Sequence, residues 1–338
     1  MKHFQAVLVV IVLALVSAFG VMAQDAPELP PLPGEIVVGD LIYPYGVTFD
    51  ADGNLWFAEG GNGDENGNVN FGGAVMMVGE SGEPEVVFPV PSFALGAHSS
   101  PLYRVFVRDG VIWIILGGNS VGTAKPVTPF ENAVIAIDQE SHHIIHWIDT
   151  RGYELANDPD GRGELHSNPT DLAWDADGLM YIADAGANTL YTWTEADGLT
   201  PIQSWDNHVP NSLEFDANGD LFIGFLGAGI APGAGKIEQW SNGELVNTYE
   251  GLTAVTDILL EENGDILAVQ MFTVGEGGQA LGSVVRVVGG FILPFADNLP
   301  YPNAIARDAD GNLYVSINAA HFGPRLGAGA IVRLNAVE

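Results

Sequence analysis

The chain has 338 residues, no cysteine, and 43 Asp and Glu against 11 Lys and Arg, for a formal net charge of −32 at pH 7. Without cysteine, thiolate catalysis, disulfide exchange and a lipid-modified N-terminal cysteine are excluded, and the fold must hold by burial and sheet hydrogen bonding. So negative a field repels nucleic acid and anionic lipid headgroups, favours cations and cationic partners, and keeps an exported protein dissolved.

Residues 1–23 read as a secretory signal peptide. Lys2 gives a basic start, Phe4 to Val21 is uncharged and mostly apolar, and Val21-Met22-Ala23 supplies the cleavage positions. Cleavage after Ala23 implies a secreted or periplasmic protein; an uncleaved N-terminal anchor is the competing reading. No later stretch is apolar for long enough to cross a bilayer, so a monomer free of the membrane is expected after cleavage. Residues 24–34 (QDAPELPPLPG) carry four prolines and little to bury, and read as a stiff linker. Residues 35–338 are expected to form one domain.

Glu35 to Leu41 (EIVVGDL) reads as a lone strand with no hairpin partner nearby. Beyond it one unit recurs. Its clearest copy is NPTDLAWDADGLMYIADAGAN at Asn168 to Asn188: an alternating apolar strand, Asp-Ala-Asp-Gly, then a second apolar strand ending in an acid and glycines. Alternation buries one face and Asp-Gly reverses the chain, which together spell a β-hairpin. Related copies start at Pro44, Pro210, Val255 and Pro302, and a degenerate one at Pro101. Six units at roughly 41 to 68 residues have the period of propeller blades.

Each unit extends to four strands, A to D, except the last, which ends after C (Ala330 to Leu334). The early strand 35–41 is expected to fill the missing place and close the ring, which removes open sheet edges. The predicted class is therefore all-β, a six-bladed propeller sealed by its N-terminal strand, with no segment of sustained helical periodicity. In such blades the B-C loops and the D-to-A crossings share one end. Here these are the long, glycine-rich segments: 60–73, 117–132, 227–235, 273–282 and 319–329, with the crossing 150–168. Variable loops on one rim of a rigid ring are the expected binding face.

The Asp-x-Asp-Gly segments lack the spacing of a calcium-binding EF-hand loop and suit the turn itself. Residues just before strand A surround the channel on the loop-rich face: Tyr45, Gly46, Leu102, Thr170, Asp171, Asn211, Thr256, Asp257 and Asn303, joined by Glu59, Asp184 and Gln270 at the ends of the B strands. Glu59, Asp184, Asn211, Asn303 and His321 are the candidate ligand-binding residues at the channel mouth. Glu59, Asn211, Asp257 and Asn303 have the hard oxygens that Ca²⁺ or another divalent cation prefers. The alternative is that such residues bond local backbone N–H groups and pin blades together. His98, His166 and His208 also fall in rim loops, whereas His142-His143-x-x-His146, read as strand with His142 and His146 on one face and His143 on the other, lies on the outer edge of blade two and lacks a third zinc ligand. Aromatic residues at one place in strand B (Trp56, Trp113, Tyr181, Phe222, Tyr314) mark packing between blades. No Gly-x-Ser-x-Gly elbow, His-Glu-x-x-His motif or P-loop is present.

The order of these pieces resembles the ScyD/ScyE family of secreted propellers. The carrying segments are YPYGVTFDADGNLWFAEGGNG in blade one, YELANDPDGRGELHSNPTDLAWDADGLMYIADAGANTLYTW at Tyr153 to Trp193, VPNSLEFDANGDLFIGFLGAGIAPGAGKI at Val209 to Ile237 and LPYPNAIARDADGNLYVS at Leu299 to Ser316. The weak second blade and the Val255-Thr256 start of blade five depart from the pattern. That resemblance implies the propeller but transfers no catalytic residues. A looser resemblance runs to the senescence-marker/gluconolactonase propellers, which hold one axial divalent metal with Glu, Asn and Asp; Glu59, Asn211, Asn303 and Asp257 match those types. The expected function is a secreted binding or assembly module, with a small molecule or an extracellular protein held at the loop-rich face. The alternative is a divalent-metal-dependent hydrolase acting on lactones, with Asp171 or Asp257 as base.

Overall fold

The computed structural model describes residues 30–61, 70–92, 102–118, 128–206, 208–273, 281–319 and 328–335. The leader 1–23, most of the linker, His98, His321 and much of four B-C loops lie outside the described residues. The chain divides into two units after Pro31, and the second, Leu32–Glu338, holds the whole β architecture.

Six four-stranded antiparallel sheets follow one another. Strand β1 (Gly34–Leu41) precedes blade one, which is β2 (Pro44–Phe49), β3 (Leu55–Glu59), β4 (Asn70–Val78) and β5 (Pro84–Ser92). Blade two is β6 (Leu102–Arg108), β7 (Val111–Leu116), β8 (Ala133–Asp138) and β9 (Ile144–Asp149), followed by a helix, α1 (Thr150–Asn157). Blade three is β10 (Pro169–Trp174), β11 (Met180–Asp184), β12 (Thr189–Thr194) and β13 (Gly198–Ser204). Blade four is β14 (Pro210–Phe215), β15 (Leu221–Phe225), β16 (Gly235–Ser241) and β17 (Glu244–Leu252). Blade five is β18 (Val255–Leu260), β19 (Ile266–Gln270), β20 (Leu281–Val288) and β21 (Phe291–Pro300). Blade six is β22 (Ile305–Arg307), β23 (Leu313–Ile317) and β24 (Gly329–Leu334), and β1 completes it against β24. The expected closure is observed, with Glu35 opposite Arg333 and Ile36 opposite Val332.

The burial gradient follows from the ring. Inner strands such as β10 are buried almost throughout, while outer strands such as β9 and β17 are largely exposed. Each inner strand touches the next, β2 to β6, β10, β14, β18, β22 and back to β2, so the six form a closed palisade. The Asp-Gly turns behave as read. Asp50 Oδ1 accepts the N–H groups of Asp52 and Asn54, its Oδ2 accepts Trp56 Nε1, and Gly53 sits at φ +85°. Asp175, Asp216 and Asp308 cap their turns in the same way. The strand-B aromatics also do what their spacing predicts: Trp113 meets Trp174, Tyr181 meets Phe215 and Tyr314 meets Phe49, each across a blade boundary.

Two expectations change. The crossing 150–168 is not wholly irregular, because Thr150–Asn157 is helical. Eight residues are too few to show a periodicity, and the helix starts because Asp149 Oδ1 accepts the Gly152 N–H at 2.7 Å. His142 and His143 belong to the turn before β9 rather than to a strand, with His142 at φ 56°. His146 is on the strand and stacks on Trp113, with ring centroids 6.2 Å apart.

Glu35 and Arg333 face each other 298 positions apart in the chain and form an ion pair at 2.7 Å. In this cysteine-free chain, replacing both by cysteine places a disulfide across the closing pair at ordinary cross-strand separation. The oxidised double variant is expected to be more stable than its reduced form by roughly 2–4 kcal/mol, read as denaturation midpoints with and without reductant. Failure of the bond to form would contradict the closure.

Candidate functional site

The inner strands share one irregularity, and it builds the centre of the molecule. In β10, Pro169 pairs with Asp184 and Asp171 with Ala183, which leaves Thr170 as an extra residue. Tyr103 in β6, Asn211 in β14 and Thr256 in β18 are extra in the same way, and β2 passes from Pro44 opposite Glu59 to Val47 opposite Phe57. Such bulges re-aim side chains. The residues that follow them occupy one equivalent place per blade, which reads Gly46, Arg104, Asp171, Ser212, Asp257 and Ala304 around the ring.

Arg104 dominates this layer. Its Nη1 donates to Asp257 Oδ1 at 3.0 Å and lies 3.6 Å from Asp171 Oδ1, and its Nη2 donates to the Thr256 carbonyl at 2.8 Å. Blades two and five are opposite in a ring of six, so the guanidinium spans the axis. Gly46 makes room, since a Cβ there would lie 2.8 Å from both Cα and Cγ of Arg104. The carboxylates are engaged further. Asp171 Oδ2 accepts the Leu213 N–H of blade four at 2.7 Å, and Asp257 Oδ2 accepts the Ile305 N–H of blade six at 2.9 Å. One layer below, Glu214 Oε2 accepts the Leu260 N–H of blade five at 2.7 Å. Three carboxylates thus strap blades three, four, five and six in succession, and Ser316 Oγ donates to the Tyr45 carbonyl to join six to one.

Protonation follows from this crowding. Burial pushes Asp171 up to about 7, with the Arg104 charge opposing and Asp257 adding to the rise. Asp257 is raised for the same reason, and burial pushes Glu214 up to about 8. Burial disfavours the Arg104 cation, but Asp171 and Asp257 outweigh it and raise its pKa.

The sequence-predicted residues divide into two sets. Asn211 Nδ2 donates to the Thr256 carbonyl at 2.7 Å, the same carbonyl that Arg104 uses, and Asn303 Nδ2 to Tyr103 Oη at 3.3 Å, which draws both amides into the central network. The Oδ1 atoms of Asn211 and Asn303 are buried without a hydrogen-bond partner. Glu59, Asp184 and Gln270 instead hold the crossings that lead into their own blades. Glu59 Oε1 accepts the Ile42 N–H at 2.9 Å, Asp184 Oδ1 accepts those of Asn168, Gly186 and Ala187, and Gln270 Oε1 accepts that of Thr253 at 2.7 Å. From Asp184 Oδ2 a buried hydroxyl relay runs through Ser167 and Thr150 to the Asn132 carbonyl, which ties blade three to blade two.

Sequence reasoning missed Arg104 and one other group. Among the described residues, three carboxylates, Glu154, Asp158 and Asp160, bring ligand oxygens within 4.8 Å of one another on the crossing from blade two to blade three. The signal was present as an acid on a short helix followed by Asp-Pro-Asp-Gly.

The sequence matches no protein-family profile and no curated protein. Solved structures share the architecture. Virginiamycin B lyase from Staphylococcus aureus is 16% identical, covering 91% of this chain and 85% of that one at a TM-score of 0.50. The calcium-binding protein regucalcin from Agrobacterium tumefaciens is 12% identical over 90% and 95% at 0.56. A luciferin-regenerating enzyme is 10% identical over 91% and 96% at 0.54. Likeness at this level shows the six-bladed propeller fold.

Replacing Arg104 by Met strands two buried carboxylates, and the loss expected is about 3–5 kcal/mol. Adding Asp257→Asn should recover part of it, so that chemical denaturation of the two single variants and the double one yields a coupling energy; strict additivity would mean that the pair does not interact. The raised carboxyls also set a pH dependence. A folded-state pKa above the unfolded one means that the folded protein holds protons the unfolded chain has released, so this stability is present below about pH 4 and lost as pH rises through about 7 and 8. Asp50 and Asp308, lowered mainly by their turn hydrogen bonds against the effect of burial, act oppositely and lose their contribution as pH falls below about 4. Thermal unfolding should therefore give a higher Tm at pH 5 than at pH 8; a higher Tm at pH 8 would contradict the assignment.

Proposed function

We propose that the chain is a secreted β-propeller of the ScyD/ScyE type acting as a binding or assembly module, with a small molecule or a segment of an extracellular protein held at the loop-rich face around the channel. The observation that carries this reading is Arg104 on the axis. It pairs with both central carboxylates, whose remaining oxygens accept backbone N–H groups, and so neither Asp171 nor Asp257 is left free to take a substrate proton. The centre leaves unpartnered the buried Oδ1 atoms of Asn211 and Asn303, neutral acceptors that suit N–H or O–H donors. The signal-like leader and the excess of acid support an exported location.

A divalent-metal-dependent hydrolase of gluconolactonase type is the second reading. The same two amide oxygens favour it, since with Asp257 they supply oxygen ligands suited to Ca²⁺ or a similar ion, whereas Glu59 is held at its crossing by the Ile42 N–H. Against it, a cation at Asp257 has to displace a guanidinium already bonded to Oδ1.

A thermal-shift screen of saccharides, peptides and small metabolites, run beside a lactone and phosphoester panel with and without EDTA, separates the two. The binding reading expects ligands whose shift falls at least tenfold in apparent affinity in Asn211→Ala and Asn303→Ala, with no turnover sensitive to EDTA. Turnover that EDTA abolishes and those substitutions remove would instead establish the hydrolase.

A further inference from the structure

We propose that Glu154, Asp158 and Asp160, with the side-chain carbonyl of Asn188, bind one Ca²⁺ ion away from the axis, where the crossing from blade two meets blade three. The carboxylates come from a single local device. Glu154 lies on α1 and is 1% exposed, Asp158 ends the helix at φ 43°, and Asp160 follows in the Asp-Pro-Asp-Gly bend. Their oxygens fall within 4.8 Å of one another, no farther apart than the roughly 4.6–5.2 Å that separates opposite oxygens across a calcium ion with Ca–O distances of about 2.3–2.6 Å.

Two buried atoms point to a missing ligand. Glu154 Oε2 has no hydrogen-bond partner, although a carboxylate oxygen removed from water ordinarily has one. Asn188, 5% exposed, donates Nδ2 to Asp160 Oδ2 at 3.0 Å, and the Oδ1 on the same carbon is likewise buried and unpartnered. Asn188 belongs to blade three, so this second signal is independent of the acidic loop. An orphaned carboxylate oxygen and an orphaned amide oxygen, with Asp158 and Asp160 beside them, call for a cation.

Local charge leads to the same conclusion. Three further carboxylates, Asp184, Asp160 and Asp158, act electrostatically on Glu154. Arg162 on the same loop pairs outward with Asp206 and Glu164. An all-oxygen donor set selects a hard ion over zinc or copper, and three carboxylates with one amide leave places for water, as in calcium sites of about 10⁻⁴–10⁻³ M affinity. Bound there, the ion joins α1 to blade three and fixes the rim loop, which Ser204 Oγ already tethers through the Pro159 carbonyl at 3.2 Å.

The test is isothermal calorimetry and thermal unfolding of the full chain, stripped with EDTA and titrated with CaCl₂ or MgCl₂. One Ca²⁺ per chain and a Tm raised by roughly 5 °C at saturation are expected, with affinity at least tenfold lower in Asp158→Asn/Asp160→Asn. Both of those residues are partly exposed, and asparagine keeps the turn acceptors. Glu154→Gln, which mimics the protonated acid, should lose affinity as much and keeps the test decisive should the double variant fold poorly. No calcium-dependent heat or shift overturns the proposal, as does a shift that survives in these variants or one that Mg²⁺ reproduces at equal concentration. The axial readings stand or fall separately, because Asn211→Ala and Asn303→Ala leave this site untouched.

Discussion

A single guanidinium on the axis is the interaction around which the rest is arranged. Six inner strands surround the axis, and the polar side chains that the bulges turn inward are buried there, so they look to neighbouring blades for partners. Arg104 meets Asp257 and Asp171, and those carboxylates in turn bind Ile305 and Leu213. A buried ion pair of this kind gains little over apolar packing in raw stability, since desolvation offsets much of the Coulomb attraction. Its effect is on uniqueness: Gly46, Ser212 and Ala304 are small where Arg104 is large, so no rotation of one blade past another preserves the fit.

Closure of the ring depends on the same economy of edges. The outer strands present the exposed rows, and the first and last strands meet in one blade where β1 lies against β24. Residues at the ends of the B strands then hold the crossings by accepting backbone N–H groups, Glu59 from Ile42, Asp184 from Asn168 and Gln270 from Thr253. The repeat is therefore a repeat of hydrogen-bonding duties, and the acid at a B-strand end is explained by the loop it anchors.

Much of this was legible because it is local. Asp-x-Asp-Gly names its own turn, alternation names the strands on either side, and a final blade lacking one strand identifies the place of 35–41. The central pair was not legible, because Arg104 and Asp257 are 153 positions apart and nothing in either neighbourhood announces the other. Blade two also hid its own register. Leu102 reads as the channel residue, but the bulge places Tyr103 and Arg104 at the positions held elsewhere by Thr170 and Asp171 or Thr256 and Asp257. Helix α1 escaped for another reason: it starts at a side-chain cap and ends within about two turns, too short for a hydrophobic stripe to show.

The distribution of charge separates the two faces of the functional question. The chain is strongly acidic as a whole, yet its axis carries its own counter-ion, so a cation arriving from solvent meets a centre already partly neutralised by Arg104. On the crossing between blades two and three the balance is reversed: Asp158 and Asp160 gather beside the buried Glu154, and Arg162 pairs instead with Asp206 and Glu164. The same acidic composition therefore has different consequences at two places roughly a blade apart in sequence. A shared fold predicts neither, since lyases and calcium-binding proteins are built on the same ring, and what distinguishes this chain is which residue stands at each of six equivalent positions and what its crossings carry.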